Sequence, residues 1–264
     1  MEKRYSVGGV TLAVIKSLAY LAVWLIAQLV MGVVIGFVLG VSKGGAATEL
    51  ANSVGIYVSI ASNCLAVLFL AFIPLLRDST LTEKASINKM PPRFFINMVV
   101  MGVSFAIAIS IILGVLQMLG VFPDSWVSML EDNNSVFVEA DKSVMLIATV
   151  IMAPVLEEIL FRGFILGTLK KEMHPWIAIF VSAVLFGVMH GTPIGIIYAT
   201  ALGVVMGWLC VKFNSVIPSL IFHMAYNATV SYNQGISIIA AVIAIPVLVF
   251  EFIDINKFFR GERK

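Results

Sequence analysis

Long apolar runs recur from one end of this chain to the other. A helix needs about 20 mostly apolar residues to cross a bilayer, and eight runs approach or exceed that length. They cover residues 18–41, 54–76, 95–121, 144–169, 176–190, 194–213, 216–232 and 236–252. Because only 12% of the residues are charged and the mean hydropathy is +1.03, a water-soluble globule is excluded. The sequence predicts an all-α, polytopic membrane protein with about eight transmembrane helices in a bundle.

Lysine and arginine are distributed unevenly between the two sides of this predicted bundle. If the N-terminus is cytoplasmic, most of the 17 basic residues lie in inner segments, and the outer segments hold only Lys43 and Lys142. This bias predicts that both termini are cytoplasmic and that the chain is a multi-pass protein of the plasma membrane. The longest outer segment, 122–142, is predicted to be an acidic loop. No basic stripe stands clear of the membrane flanks, so the predicted partners include the bilayer and exclude nucleic acid.

Glycines at four-residue spacing mark two of the predicted spans. They are Gly32, Gly36 and Gly40 in the first span, and Gly203 and Gly207 in the sixth. This spacing places small residues on one helix face, where another helix can approach closely. We predict close packing of helices within the chain, and the alternative is the seam of a homodimer.

Three ionisable residues interrupt the fourth apolar run, in the stretch MAPVLEEILFRG at 152–163. A charge at the centre of a spanning helix costs about 2.5–3.5 kcal/mol, so such residues are usually paired and functional. Glu158 and Arg162 are four residues apart, which predicts an ion pair on one helix face. Glu157 points about 100° away from that face, and it remains available for chemistry.

Two further polar motifs lie within later apolar runs. Phe186 and His190 are four apart in the fifth run, and His223 and Asn227 are four apart in the seventh. A histidine in hydrocarbon needs a polar partner, so we predict that these motifs converge on the glutamates. A carboxylate among apolar side chains can act as a general base. One histidine can orient a water, and histidine with asparagine can stabilise an oxyanion. The set predicts hydrolysis by an activated water.

A metal ion is the alternative way to activate that water. Glu157, His190 and His223 would form a plausible Zn²⁺ ligand set that leaves one position open for water. The HExxH signature of common zinc peptidases is absent from the chain. Residue types alone do not separate a metal-bound water from a glutamate-activated one. We therefore predict no cofactor, with zinc as the alternative.

The ordered motifs EExxxR, FxxxH and HxxxN, on hydrophobic helices over about 144–232, resemble one known family. This is the CAAX protease and bacteriocin-processing family, whose members are also called Abi proteins and are related to the type II CAAX prenyl proteases. The resemblance implies intramembrane endopeptidase activity and an eight-helix bundle with a cavity open to the membrane or the cytosol. The implied substrates are membrane-associated peptides or protein precursors.

The resemblance also implies a role for each motif residue. Glu157 would activate the water, and His190 would hold or share it. His223 and Asn227 would stabilise the oxyanion. Glu158 and Arg162 would brace the site. Glutamate-activated water, rather than zinc, is the mechanism that this assignment favours.

The chain divides into three regions on this interpretation. Residues 1–142 hold the first three transmembrane helices with their loops, 143–235 form the catalytic core, and 236–264 form the last helix and a basic cytoplasmic tail. A non-catalytic immunity or scaffold protein of the membrane is the alternative function. A proton-coupled transporter is a third, which the absence of an inverted sequence repeat disfavours.

Overall fold

The computed structural model describes residues 5–41, 60–66, 68–69, 86–135, 142–232 and 238–262. Over these ranges the chain is helical and contains no strand, which confirms the all-α prediction. The helices are α1 (Val7–Val41), α2 (Arg93–Met118), α3 (Asp124–Ser135), α4 (Lys142–Glu172), α5 (Pro175–Val188), α6 (Pro193–Phe213), α7 (Val216–Tyr232) and α8 (Ile238–Phe259). Residues 60–66 are helical as well.

Four stretches of the described helices are long and apolar enough to cross a membrane. They are Val7–Val34, Arg93–Met118, Lys142–Glu172 and Pro193–Phe213, and α5 is a shorter apolar helix. A multi-pass membrane protein is thereby confirmed. The number of eight spans, the cytoplasmic termini and the plasma membrane stay predictions, as do the three-region division and the cytoplasmic tail. Most of the predicted span at 54–76 lies outside the described residues.

The first helix begins 11 residues earlier than the sequence analysis placed the first span. It starts at Val7 rather than at residue 18. Ser6 caps this start, because its Oγ accepts a hydrogen bond from the Gly9 N–H at 3.0 Å. The sequence analysis placed Lys16 at the inner edge of the span, but the helix includes the mostly apolar residues 7–15 before it. The serine cap stabilises this earlier start.

The acidic segment 122–142 was predicted to be a loop, and over Asp124–Ser135 this prediction is wrong, because α3 lies there. Asp124 stands in the first turn of α3, where a negative charge stabilises a helix. Trp126 stacks on Phe122 with ring centroids 6.4 Å apart, which anchors the same turn. The sequence analysis missed this short surface helix because its hydropathy is low.

Small residues determine how closely α5 and α6 pack. A Cβ on Gly203 would lie 3.0 Å from the Cα and Cβ of Ala183, and one on Gly207 would lie 3.0 Å from Ile179. The glycine pair of the sixth predicted span therefore packs inside the chain, as predicted. In α1, a Cβ on Gly32 would meet nothing within 4 Å. Gly36 and Gly40 fall outside the residues whose surroundings the structure describes, and the homodimer stays a prediction.

We expect Gly203→Val to destabilise the fold by about 1–3 kcal/mol, the usual penalty for overpacking. The added side chain would collide with the Ala183 backbone, which cannot move without displacing α5 from α6. Unfolding of the purified protein by SDS in mixed micelles measures this change. Gly32→Val is the matched control, since the space around Gly32 is open. Equal shifts for the two variants would contradict the packing account.

Candidate active site

Helix α4, which carries both motif glutamates, is irregular on each side of them. Its turns widen to the π-helical form over Ile147–Met152 and again over Ile159–Leu166. Pro154, just after the first widened stretch, has no N–H to donate and so weakens the regular ladder there. Such π-helical turns are frequent at functional sites. The widened turns place Glu157 and Glu158 on a short α-helical segment between two stretches of altered register.

Glu158 and Arg162 form the ion pair that their spacing predicts. Arg162 Nη1 lies 3.1 Å from Glu158 Oε1, and the two side chains are only 1% exposed. The guanidinium also lies over the Phe186 ring, 4.6 Å from its centroid. Burying two charged groups costs free energy unless each has a favourable partner. The positive charge of Arg162 is stabilised by the Glu158 carboxylate and by the face of the Phe186 ring.

His223 lies between the two glutamates. Its Nδ1 is 3.3 Å from Glu158 Oε1, and its Nε2 is 3.7 Å from Glu157 Oε2. The ring edge also packs against Phe186, with centroids 5.9 Å apart. Because both ring nitrogens face carboxylates, His223 links the buried ion pair to the second glutamate. Glu157 thus has the histidine neighbour that the predicted convergence of the motifs places beside it.

His190 lies at the turn between α5 and α6. Gly191 has a φ of +73°, a conformation that glycine adopts readily, so the chain turns directly after His190. The Nδ1 of His190 is 3.0 Å from the Phe186 carbonyl oxygen. A neutral imidazole that donates from Nδ1 keeps Nε2 as an acceptor. The Phe186 and Tyr198 rings pack edge-on at 4.8 and 5.8 Å and fix the plane of the imidazole.

Asn227 binds the irregular part of α4. Its Nδ2 donates to the Thr149 carbonyl oxygen at 2.8 Å, and Thr149 lies within the first π-helical stretch. This bond gives the Thr149 carbonyl oxygen a hydrogen-bond donor in a stretch where the regular α-helical hydrogen bonds are replaced by π-helical ones. A carboxamide has two N–H groups, so one remains for another acceptor. Asn227 is therefore a tether between α7 and α4 as well as a potential donor.

A cavity of about 530 Å³ adjoins these residues. Glu157, His190 and Asn227 line it, whereas Glu158, Arg162 and His223 are buried behind it and are at most 2% exposed. The structure thus brings all six motif residues into one region but divides them into a lining set and a supporting set. This division separates the two adjacent glutamates, as their 100° offset predicts.

The lining residues that the sequence analysis missed include Trp24, Gln28, Asn63 and Tyr198. Gln28 and Asn63 are uncharged polar residues inside apolar runs, and that position was the available signal. Tyr198 follows His190 by eight residues but lies on another helix, so no spacing rule connects them. Asn133 of α3 also lines the cavity, and the helix that was predicted as a loop therefore contributes to its wall.

The zinc alternative needs three donor side chains close together. Within the part of the chain that the structure describes, no three His, Cys, Asp or Glu side chains are grouped so that they could hold a metal ion. Glu157, His190 and His223 do not form a zinc site in this arrangement, and both the absence of a cofactor and the zinc alternative stay predictions. No step proposed below passes through a metal.

The helices and the converging polar residues define a multi-pass helical membrane protein with charged groups enclosed beside an internal cavity. Residues 139–229 match the family model described as type II CAAX prenyl endopeptidase Rce1-like. Over 91 residues the chain is 30% identical to a protein of Bacillus subtilis (strain 168) named "Putative membrane peptidase YdiL". That alignment covers 34% of this chain and 37% of the relative, so the match spans well under half of either protein.

No solved structure matches the chain. The matched segment contains all six polar motif residues, from Glu157 to Asn227. Its similarity to the type II CAAX prenyl endopeptidase model and to a membrane peptidase confirms the resemblance drawn from the motifs. The separate roles of the six residues are not tested by this match.

Proposed function

We propose that this chain is an intramembrane endopeptidase that hydrolyses membrane-associated peptides or protein precursors. The observation that carries the proposal is the cavity, where a carboxylate, an imidazole and a carboxamide from three helices line one space. The family match supports a membrane peptidase. Glu157, His190 and Asn227 are the residues that a substrate in the cavity would meet.

Glu157 is proposed to act as the general base. A water held between Glu157 and Nε2 of His190 loses a proton to the carboxylate as its oxygen attacks the peptide carbonyl carbon. The second N–H of Asn227 donates to the oxygen that becomes negative. The C–N bond then breaks, and the proton on Glu157 passes to the leaving nitrogen. The products are a new carboxylate and a new amine, and no covalent enzyme intermediate forms.

The residues behind the cavity are proposed to hold Glu157 in position. His223 contacts both carboxylates, and Arg162 balances the charge of Glu158. The oxyanion role that the resemblance implies for His223 is reduced here, because its side chain is enclosed between the glutamates rather than lining the cavity. A histidine in this position orients the base and limits its movement.

Comparative sequencing of peptide termini tests the function directly. A deletion strain is complemented with wild type or with Glu157→Gln, and new peptide termini in the membrane fraction are identified by mass spectrometry. An endopeptidase predicts termini that need the wild-type chain and are missing from both the deletion and the variant. Identical termini in the deletion strain and the strain complemented with wild type would favour the scaffold alternative.

Metal removal is expected to leave the activity of the purified protein unchanged. The donor set does not fit a metal ion, and the proposed base is a carboxylate. Cleavage of a quenched peptide in nanodiscs is measured after treatment with 1,10-phenanthroline and again after Zn²⁺ is added back. The non-chelating 1,7-isomer is the control. A loss of activity that zinc restores would overturn the glutamate mechanism in favour of the zinc alternative.

A further inference from the structure

The cavity has a second group of polar lining residues besides the motif residues. Trp24 and Gln28 of α1, together with Asn63 of the helical stretch 60–66, line the same space as Glu157. Nε2 of Gln28 donates to Oδ1 of Asn63 at 3.1 Å, and the Trp24 indole N–H donates to the same oxygen. Ser62 Oγ donates to Oε1 of Gln28 at 2.5 Å. These bonds fix the orientation of both carboxamides.

Polar side chains in spanning helices often serve only to join helices, and these bonds do join α1 to 60–66. Two observations go beyond that role. All three residues line the cavity that Glu157 also lines. The two bonds of Gln28 also use half of the four that a carboxamide can make, so one N–H and one lone pair of this half-buried side chain are available for a ligand.

The chemistry of the lining indicates what such a ligand is. An extended peptide presents an N–H and a C=O at every residue, and each needs a partner within the membrane. A fixed carboxamide offers a donor and an acceptor side by side. Among the described lining residues there is no lysine or arginine, so this part of the cavity offers no cation to a free carboxylate or an acidic side chain. An uncharged internal segment fits best.

We propose that Trp24, Gln28 and Asn63 form a substrate-binding wall that holds the main chain of an extended, uncharged peptide in the cavity that Glu157 lines. This inference rests on the proposed peptidase function. Gln28 binds a peptide group of the substrate, Asn63 and Ser62 orient Gln28, and the Trp24 ring packs against the substrate. The wall acts on binding, whereas Glu157 and His190 act on the bond that breaks.

Kinetics with one defined probe tests the wall. The probe is an internally quenched, end-blocked decapeptide of uncharged residues, selected by its cleavage with the wild-type protein in nanodiscs. Gln28→Leu and Asn63→Leu are expected to raise KM about tenfold each, as the loss of one or two hydrogen bonds would, and to change kcat less than about threefold. A KM effect with a constant kcat is the signature of lost ground-state binding.

Controls separate binding from folding. Gln117→Leu makes the same chemical change at an exposed position outside the wall, and its KM should equal that of wild type. Gln28→Met keeps the length of the side chain if Gln28→Leu unfolds. A second probe with aspartate at the centre should be cleaved at least about tenfold less efficiently. Binding of the labelled first probe to the inactive Glu157→Gln protein should weaken by the same factor when Gln28→Leu is added.

Unchanged KM and unchanged probe binding in folded wall variants would overturn this inference and leave the peptidase function intact. A fall in kcat alone would also overturn it, because the wall would then act on the chemistry. Failure of the wild-type protein to cleave any uncharged, end-blocked peptide would instead overturn the proposed function. The two failures are therefore distinguishable in one set of measurements.

Discussion

Replacing Glu157 by glutamine is expected to lower kcat by about 1000-fold, within the range that a general base contributes. Glutamine keeps the shape of the side chain and fills the same part of the cavity, but it cannot accept a proton from water. The Glu157 side chain is 25% exposed, so the change leaves no charge buried without a partner. The measurement is single-turnover cleavage of the quenched decapeptide by the purified variant in nanodiscs.

A carboxylate outside the site supplies the control for this variant. Glu131 lies on α3 and is exposed, and Glu131→Gln removes the same charge without touching the cavity-facing glutamate. Wild-type kcat is expected for Glu131→Gln, and both variants should unfold at the wild-type SDS concentration. Cleavage by Glu157→Gln within about threefold of wild type would exclude Glu157 as the base.

Replacing Arg162 by methionine is expected to destabilise the protein by about 3–5 kcal/mol, the usual effect of removing one partner of a buried ion pair. Arg162 is 2% exposed, and without it the Glu158 carboxylate would lose its arginine partner and keep His223 as a polar neighbour. The stacking on Phe186 would also be lost. The free energy of unfolding in SDS mixed micelles is the quantity to measure.

Two further variants serve as controls for this prediction. Arg260→Met removes an arginine that is 70% exposed and lies 3.9 Å from Glu262, and exposed pairs contribute little, so stability should hardly change. The double variant Glu158→Gln/Arg162→Met should recover part of the loss, because the unpaired carboxylate is removed as well. Equal stabilities of Arg162→Met and wild type would show that the pair is not a structural brace.

Contacts within a single helix were the most predictable part of the site. The Glu158–Arg162 pair depends only on the helical period and on the high energy of unpaired charges in hydrocarbon. The same reasoning separated Glu157 from Glu158, and the cavity lining agrees with it. The start of the first helix was missed because the sequence analysis began the span after Lys16. Helix α3 was missed because hydropathy detects apolar length, which this short acidic helix lacks.

Contacts between helices were not predictable from spacing. His223 lies between two carboxylates because α7 packs beside the widened turns of α4, and the sequence signals neither that packing nor the π-helical turns. The Asn227 bond to Thr149 has the same origin. The polar wall forms because α1 and residues 60–66 pack beside the cavity. Most of the other lining residues belong to helices more than 80 residues later in the chain.

The sequence by itself determined the membrane setting, the helical class, the six polar motif residues and the family resemblance, because apolar length and local spacing are properties of short segments. The tertiary structure decided which motif residues reach the cavity, which support them from behind, and which unrelated residues complete the wall. Those outcomes depend on contacts between distant segments, and the helical period does not constrain such contacts.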